Sequence, residues 1–329
     1  MKQIICAMLA CLLLFSTALA GERDASGVAE KDGRLVGTVN GLNEQSGQME
    51  PALWVDCECP GTFTDDQLAV LSTEWIELDE QKLRDAVSAT GGTWRENAYE
   101  RFDAYSAGGG AVTLPADADA EEAKARAVEI AQAFVRGCGL GETRVIKALR
   151  PEDEARSHSM GVTPEAREAF IRRELKEWYF PDIRYTWVSL QFRLRGLPMA
   201  TDWTVGNLGC SSIANLYIGD VGEMREFCLF YAPREISAAP YTGALKTWRE
   251  ALEEAASAFD CRQPQPTQDE RGRVIPASHF EISALQPGYA SREGRAWYPA
   301  WLMTVDCVGD ESLRSPAVLE IAIDARKAR

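Results

Sequence analysis

Histidine is almost missing from this chain. Two of 329 residues are histidine, His158 and His279, and they lie far apart in sequence. That scarcity excludes most metal and triad chemistry at once. There is no H-E-x-x-H, no C-x-x-C and no G-x-S-x-G, so a zinc hydrolase or a nucleophile elbow has no sequence footing. Basic residues are also in deficit: 35 Lys and Arg face 50 Asp and Glu, a formal charge of -15. A chain this acidic lacks the basic face that phosphate contacts need, so no nucleic-acid partner is expected. It gains nothing from an anionic membrane surface either. Apolar residues make up 46% and charged residues 26%, the proportions of a soluble globular protein.

Long apolar runs are missing too, with one exception at the start. Ile4 to Phe15 is unbroken apolar sequence after Lys2. Ser16-Thr17 ends the run, and Ala18-Leu19-Ala20 supplies small residues at a cleavage position. This is the pattern of a secretory signal peptide over 1–20. It is too short to span a bilayer, which takes about 20 residues. Leu9-Ala10-Cys11 loosely matches a lipoprotein site, but cleavage there would leave Leu12 to Phe15 at the new terminus, so a lipid anchor on Cys11 is not expected. Removal of the first 20 residues leaves 309, with 50 acids against 34 bases. No transmembrane anchor is expected after cleavage.

Seven cysteines remain after cleavage: Cys57, Cys59, Cys138, Cys210, Cys228, Cys261 and Cys307. An odd number cannot all pair within one chain. Cys57 and Cys59 would point the same way from a strand and are poorly placed to bond to each other. Most are read as small apolar core residues, and neither a metal nor a cofactor is expected.

Along the chain, 21–48 is polar and glycine-rich and reads as a flexible leader. Leu53, Val55 and Cys57 alternate with Trp54, Asp56 and Glu58, a strand ended by Pro60. Asp79 caps a helix from Glu80 to Ser88. Asp119, with Glu122 as capping partner, opens the clearest helix, in which Ala123, Ala127, Val128, Ala131, Phe134 and Val135 recur at helical spacing. Gly137, Gly139 and Gly141 follow that helix instead of opening one, so they read as a helix stop and not as a phosphate loop. A third helix is expected from Thr163-Pro164-Glu165 to the aromatic run at Trp178-Tyr179. Strands follow at 188–194, 213–218 and 223–230. Next come a helix over 241–259 and strands at 280–285, 297–307 and 318–324.

Both blocks run helix first and strands second, and their helices end alike, in Ala133 to Cys138 and Ala258 to Cys261. The expected fold is therefore α+β: two related helix-plus-antiparallel-sheet units, 116–236 and 237–329, behind an N-terminal strand–helix segment over 49–115. The pattern resembles a family of uncharacterised exported proteins, many of them lipoprotein-like, from clostridial-type Gram-positive bacteria. The pieces that carry the resemblance are Val55-Asp56-Cys57-Glu58-Cys59-Pro60, the helix from Ala120 to Gly141, Phe192 to Pro198, and Ile282 to Tyr289 followed by Tyr298-Pro299-Ala300-Trp301. That last pattern is also similar to the regulatory proteins YycH and YycI and to PepSY-like domains. The resemblance implies an extracytoplasmic regulator that touches a sensor kinase. The chain departs from it in having no retained transmembrane helix.

Function is then read from what remains. The preferred reading is an exported, non-catalytic binding or regulatory protein of the cell envelope with a protein or peptide partner. A sheet edge offers one mode, strand addition. Candidate binding residues are the aromatics next to turns, Trp178, Tyr179, Tyr289, Trp297 and Tyr298. One alternative is a secreted hydrolase working through the carboxylates Asp56 and Glu58 on one strand face, with His158 and His279 as further bases to test. Another is a carbohydrate-binding module, which requires a planar row of exposed Trp and Tyr. If the signal-peptide reading holds, N-terminal sequencing of the exported product is expected to start at Gly21; a product retaining Met1 would refute it.

Overall fold

The structure is a computed structural model. It describes residues 27–43, 47–92, 94–95, 104–107, 120–150, 153, 169, 185–200, 204–205, 212–220, 222–230, 232–258, 267–268, 274–275, 279–291, 295–308 and 319–327. The leader at 1–20, the helix expected from Thr163, and the candidates Trp178, Tyr179, His158 and Cys11 lie outside these residues.

The described chain is mostly strand. In order, the elements are β1 (Ala29–Lys31), β2 (Arg34–Asn43), β3 (Gln48–Glu58), β4 (Ala69–Trp75), α1 (Glu80–Ala89), β5 (Trp94–Arg95), β6 (Ala104–Ala107), α2 (Ala120–Gly137) and β7 (Glu142–Leu149). There follow β8 (Tyr185–Leu194), β9 (Leu197–Pro198), β10 (Thr204–Val205), β11 (Ile213–Gly219), β12 (Met224–Phe230), β13 (Pro233–Pro240) and α3 (Trp248–Ala258). The last are β14 (Thr267–Gln268), β15 (Val274–Ile275), β16 (His279–Ala290), β17 (Ala296–Val308) and β18 (Leu319–Asp324).

These strands form a nine-stranded sheet, a seven-stranded sheet and a separate two-stranded ribbon, β14–β15. The large sheet runs β1-β2-β3-β16-β17-β18-β10, with β4 on β17 and β13 on β4. The smaller runs β5-β6-β12-β11-β8-β7, with β9 on β8. This corrects the expected α+β, PepSY-like pair of units. The chain is β-rich, with three helices among the described residues, and its large sheet does not form from consecutive sequence. It takes strands from both chain ends and joins them by a parallel pairing of β3 with β16. The two similar helix ends do not mark a repeated unit: Cys138 follows a helix on the smaller sheet, and Cys261 lies outside the described residues. Nor is 21–48 without structure: Val28, Leu35 and Val39 are buried, and β2 pairs with β3 from Arg34↔Glu58 to Asn43↔Gln48.

The local signals that did hold are the capped helices. The Asp79 side chain accepts from the Lys82 amide at 3.1 Å. Thr247 and Glu250 form a reciprocal capping box: the Thr247 amide donates to Glu250 Oε2 at 2.7 Å, and the Glu250 amide donates to Thr247 Oγ1 at 3.2 Å. α2 stops in a left-handed turn. Gly139 has φ +71°, its amide reaches Arg136 O, and the Leu140 amide reaches Val135 O. This is the helix stop expected of the glycine run.

Two cores result. α1 and α2 cover one face of the smaller sheet through Leu83, Val87, Ala131, Phe134 and Val135 against Val188, Leu190, Phe192, Leu216 and Phe227. α3 covers one face of the large sheet through Ala251, Leu252 and Ala255 against Leu53, Val55, Ile282, Met303, Val305 and Ile321. On the other face of the large sheet, the end near Ala290, Ala300, Leu302 and Ala322 packs with Ala200. A Cβ on Gly288 would lie 2.8 Å from Pro198 O, so glycine there lets β9 lie against β16.

Where the two sheets meet, Leu71, Tyr289 and Trp297 of the large sheet join the core of the smaller one, and beside them lies a polar network. Arg144 donates to Gln191 Oε1 at 2.5 Å and to Gln286 Oε1 at 2.7 Å. Gln191, fully buried, donates to Glu320 Oε2 at 3.1 Å and to the Met199 carbonyl. Glu320 Oε2 stands 3.9 Å from the Arg144 guanidinium. Burial lowers the Arg144 pKa, Glu320 opposes that shift, and Arg193 adds to it. Removing Glu320 leaves a desolvated cation without its nearest counter-charge, whereas removing both charges does not. Urea denaturation of Glu320→Ala is expected to show a loss of about 3 kcal/mol, and the Arg144→Met/Glu320→Leu double variant is expected to recover most of it.

Candidate functional site

The half of the large sheet's second face that the smaller sheet leaves uncovered carries the site. Its geometry follows from register. Side chains alternate along each strand, and paired residues share a face. Trp54 on β3 sits opposite Glu281 on β16 and opposite Thr38 on β2. Asp56 is two residues on, opposite Val36, and Glu58 lies opposite Arg34. On β16, His279 precedes Glu281 by two, and Glu281 faces Asp306 of β17. Trp54, Asp56, Glu58, Arg34, Val36, His279, Glu281 and Asp306 therefore share one surface.

Within that surface Trp54 is 44% exposed and Val36 45%. The His279 ring lies 4.7 Å from the Trp54 ring, tilted by 41°. His279 Nε2 is 3.7 Å from Glu281 Oε2. Arg34 donates twice to Asp56 Oδ1, at 3.1 and 2.5 Å, and both side chains remain close to half exposed. The result is an apolar step, Trp54 with Val36, framed by carboxylates and one guanidinium.

Of the candidates read from sequence, Asp56, Glu58 and His279 are brought onto this one face. The aromatics are not. Tyr289 is fully buried and donates its hydroxyl to Gln67 O at 2.8 Å. Trp297 is fully buried, and its indole donates to Thr73 Oγ1 at 3.0 Å. Tyr298 is half-buried under the Arg326 guanidinium, 3.7 Å from the ring centre. All three lie where strands from both sheets converge, so proximity to a turn does not expose them.

Sequence reasoning missed Arg34, Val36 and Trp54. The first two lay in the supposed leader. Trp54 was named only as the alternating partner of Leu53 and Val55, although a tryptophan on the polar side of a period-two strand is itself a signal of an exposed ring. A second aromatic group was also missed. Trp187 and Tyr217 stack at 5.9 Å across β8 and β11, Tyr185 meets Tyr217 edge-on, and Lys147 Nζ lies 3.4 Å over the Trp187 ring. Lys147 already covers that ring, and the Trp187 N–H is held by Asn215 Oδ1 at 3.2 Å. This cluster is internally satisfied and is a weaker candidate.

Two of the described thiols are buried. Cys57 is buried beneath the site on the α3 side, and desolvation pushes its pKa up to about 11. Burial does the same to Cys138. Both, with Cys59 and Cys228, are free cysteines, in keeping with core packing. Among the described residues no group of three His, Cys, Asp or Glu is placed to hold a metal.

The edge strands offer no better surface. β13 is exposed along most of its length and pairs with β4 alone among the described residues. Pro233 and Pro240 bracket it, and its register shifts at Ile236. Proline and bulges are the devices by which sheet edges resist strand addition.

No protein-family model matches the chain, and no curated protein matches it. Among solved structures, the crystal structure of an uncharacterized protein from Eubacterium rectale aligns over 85% of this chain and 90% of that one, at 10% identity and a TM-score of 0.43. No helix among the described residues is long and apolar enough to cross a membrane.

Tyr289 provides a titration of the junction. Desolvation raises its pKa from 10.0 to about 12, so the native state favours the neutral phenol. That contribution is complete below pH 10 and is lost as the pH rises through 12. Tyr289→Phe is expected to flatten the fall in stability between pH 10 and 12, read by chemical denaturation at stepped pH. It is also expected to lower stability at pH 7 by about 1 kcal/mol through the lost bond to Gln67.

Proposed function

We propose that this chain is an exported, non-catalytic binding or regulatory protein of the cell envelope, and that the open half of the large sheet's face recognises a protein or peptide partner. One observation carries the reading: Trp54 and Val36 lie diagonally across β3 and β2, each close to half exposed on the sheet, with charged groups around them. An aromatic anchor with an apolar neighbour and a polar rim is the anatomy of a recognition surface. The signal-peptide pattern at 1–20 and the resemblance to exported clostridial proteins support an extracytoplasmic setting.

The hydrolase reading is weaker on chemical grounds. A carboxyl acting as general acid must keep its proton in an apolar setting. Asp56 instead lies 2.5 Å from a guanidinium and is 40% exposed. The binding reading is tested by capture from an envelope fraction with wild-type protein and with Trp54→Ala. A partner held by the wild type and lost with Trp54→Ala, at unchanged Tm, is the expected result. Recovery of the same partner by both proteins, or no partner together with measurable hydrolytic turnover, would overturn it.

A further inference from the structure

The charge around Trp54 is one-sided. Asp56, Glu58, Glu281 and Asp306 supply four carboxylates to the face, Glu281 being buried, and Arg34 and its β1 partner Lys31 supply two cations. With His279 neutral these groups carry two net negative charges, on a chain whose formal charge is -15. Asp56 and Glu58 follow the tryptophan on its own strand, Glu281 lies opposite it on β16, and Asp306 lies beyond on β17.

We propose that the occupant of this face is a basic segment, with a Lys or Arg side chain laid on the exposed Trp54 ring and its cationic end directed at Glu58 and Asp56. This rests on the binding reading above and adds the chemistry of the partner. The indole face is the best side-chain acceptor of a cation. The alkyl stem of Lys or Arg fits the apolar step formed by Trp54 and Val36 while its head stays among carboxylates and water. An acidic segment would meet like charge, and like charges at an interface are strongly disfavoured. A neutral glycan would use the ring and leave the surrounding charge without a role.

The test is fluorescence anisotropy with labelled hexalysine, against labelled hexaglutamate and a neutral Gly-Ser peptide of equal length, at two ionic strengths. Hexalysine is expected to bind best and to weaken with salt. Trp54→Leu keeps an apolar side chain and removes the ring, and it is expected to weaken hexalysine about 3- to 30-fold. Glu58→Gln is expected to weaken it several-fold. The Tm of both variants, followed by circular dichroism, is expected to stay at the wild-type value because both side chains are at the surface.

An unchanged hexalysine affinity in Trp54→Leu would reduce the effect to the diffuse charge of the chain and overturn the inference. So would stronger competition by chitohexaose than by unlabelled hexalysine. A photo-cross-linking residue at position 54 separates this inference from the binding reading. A captured protein cross-linked through a neutral or acidic segment would leave the binding reading standing and refute the basic occupant.

Discussion

The parallel pairing of β3 with β16 is the constraint on which the rest depends. It joins a hairpin from the first sixth of the chain to a hairpin from the last, through Glu281↔Trp54 and Ile282↔Val55. Side chains repeat every two residues, so a slip of one position would turn every residue of β3 to the opposite face. Leu53, Val55 and Cys57 would leave the core they share with α3, and Trp54 and Asp56 would enter it. The burial of three apolar side chains on one face and the need to keep a carboxylate out of it select a single register. That register also places Trp54 beside His279 and Glu281. The site is a consequence of core packing on the reverse of the same strands.

The large sheet has two faces and, among the described residues, one helix, α3, against it. α3 covers the first face. The second is covered at one end by β9 and Ala200, where Gly288 permits close approach. The joint between the sheets combines an apolar cluster, in which Leu71, Tyr289 and Trp297 of the large sheet share a core with Leu190, Leu197 and Met199, with a polar network of Arg144, Gln191, Gln286 and Glu320. A buried polar joint of this kind contributes orientation more than stability, because desolvation offsets most of what its hydrogen bonds return. Away from β9 the second face carries Trp54 and Val36, close to half exposed, beside the buried Glu281.

Local features were legible in the sequence and non-local ones were not. Asp79, the Glu80 helix, the helix over Ala120–Gly137 and its stop, the alternation in β3 and β8, and the strands β11 and β12 follow from local signals, because each is decided within a few residues. The joining of β3 to β16 spans more than 200 positions and leaves no local trace, so blocks that look sequential were expected to fold sequentially. β2 was hidden by its own composition. Its buried positions are Leu35 and Val39 with Gly37 between, which reads as a weak pattern. The aromatic candidates failed for the same reason. Whether Tyr289, Trp297 and Tyr298 are exposed depends on what a distant strand covers, and β4 and β9 lie over that end. Asp56 and Glu58 were read onto one strand face from their spacing, but nothing local showed that His279 joins them there.

Trp54 is held before any partner arrives. The pleat of β3 fixes its base, and the His279 ring limits its rotation from the β16 side. Arg34 and Asp56 likewise restrain each other. A surface that is ordered in advance loses little conformational freedom when a ligand binds, so even a small contact area yields usable affinity. An exposed tryptophan beside an exposed valine would ordinarily invite self-association. Here each copy of the face carries the same excess of carboxylates, so two copies repel while a partner of opposite charge does not. On the proposed reading, the charges that disfavour self-association also select the partner, and the apolar step and its acidic rim act as one recognition element.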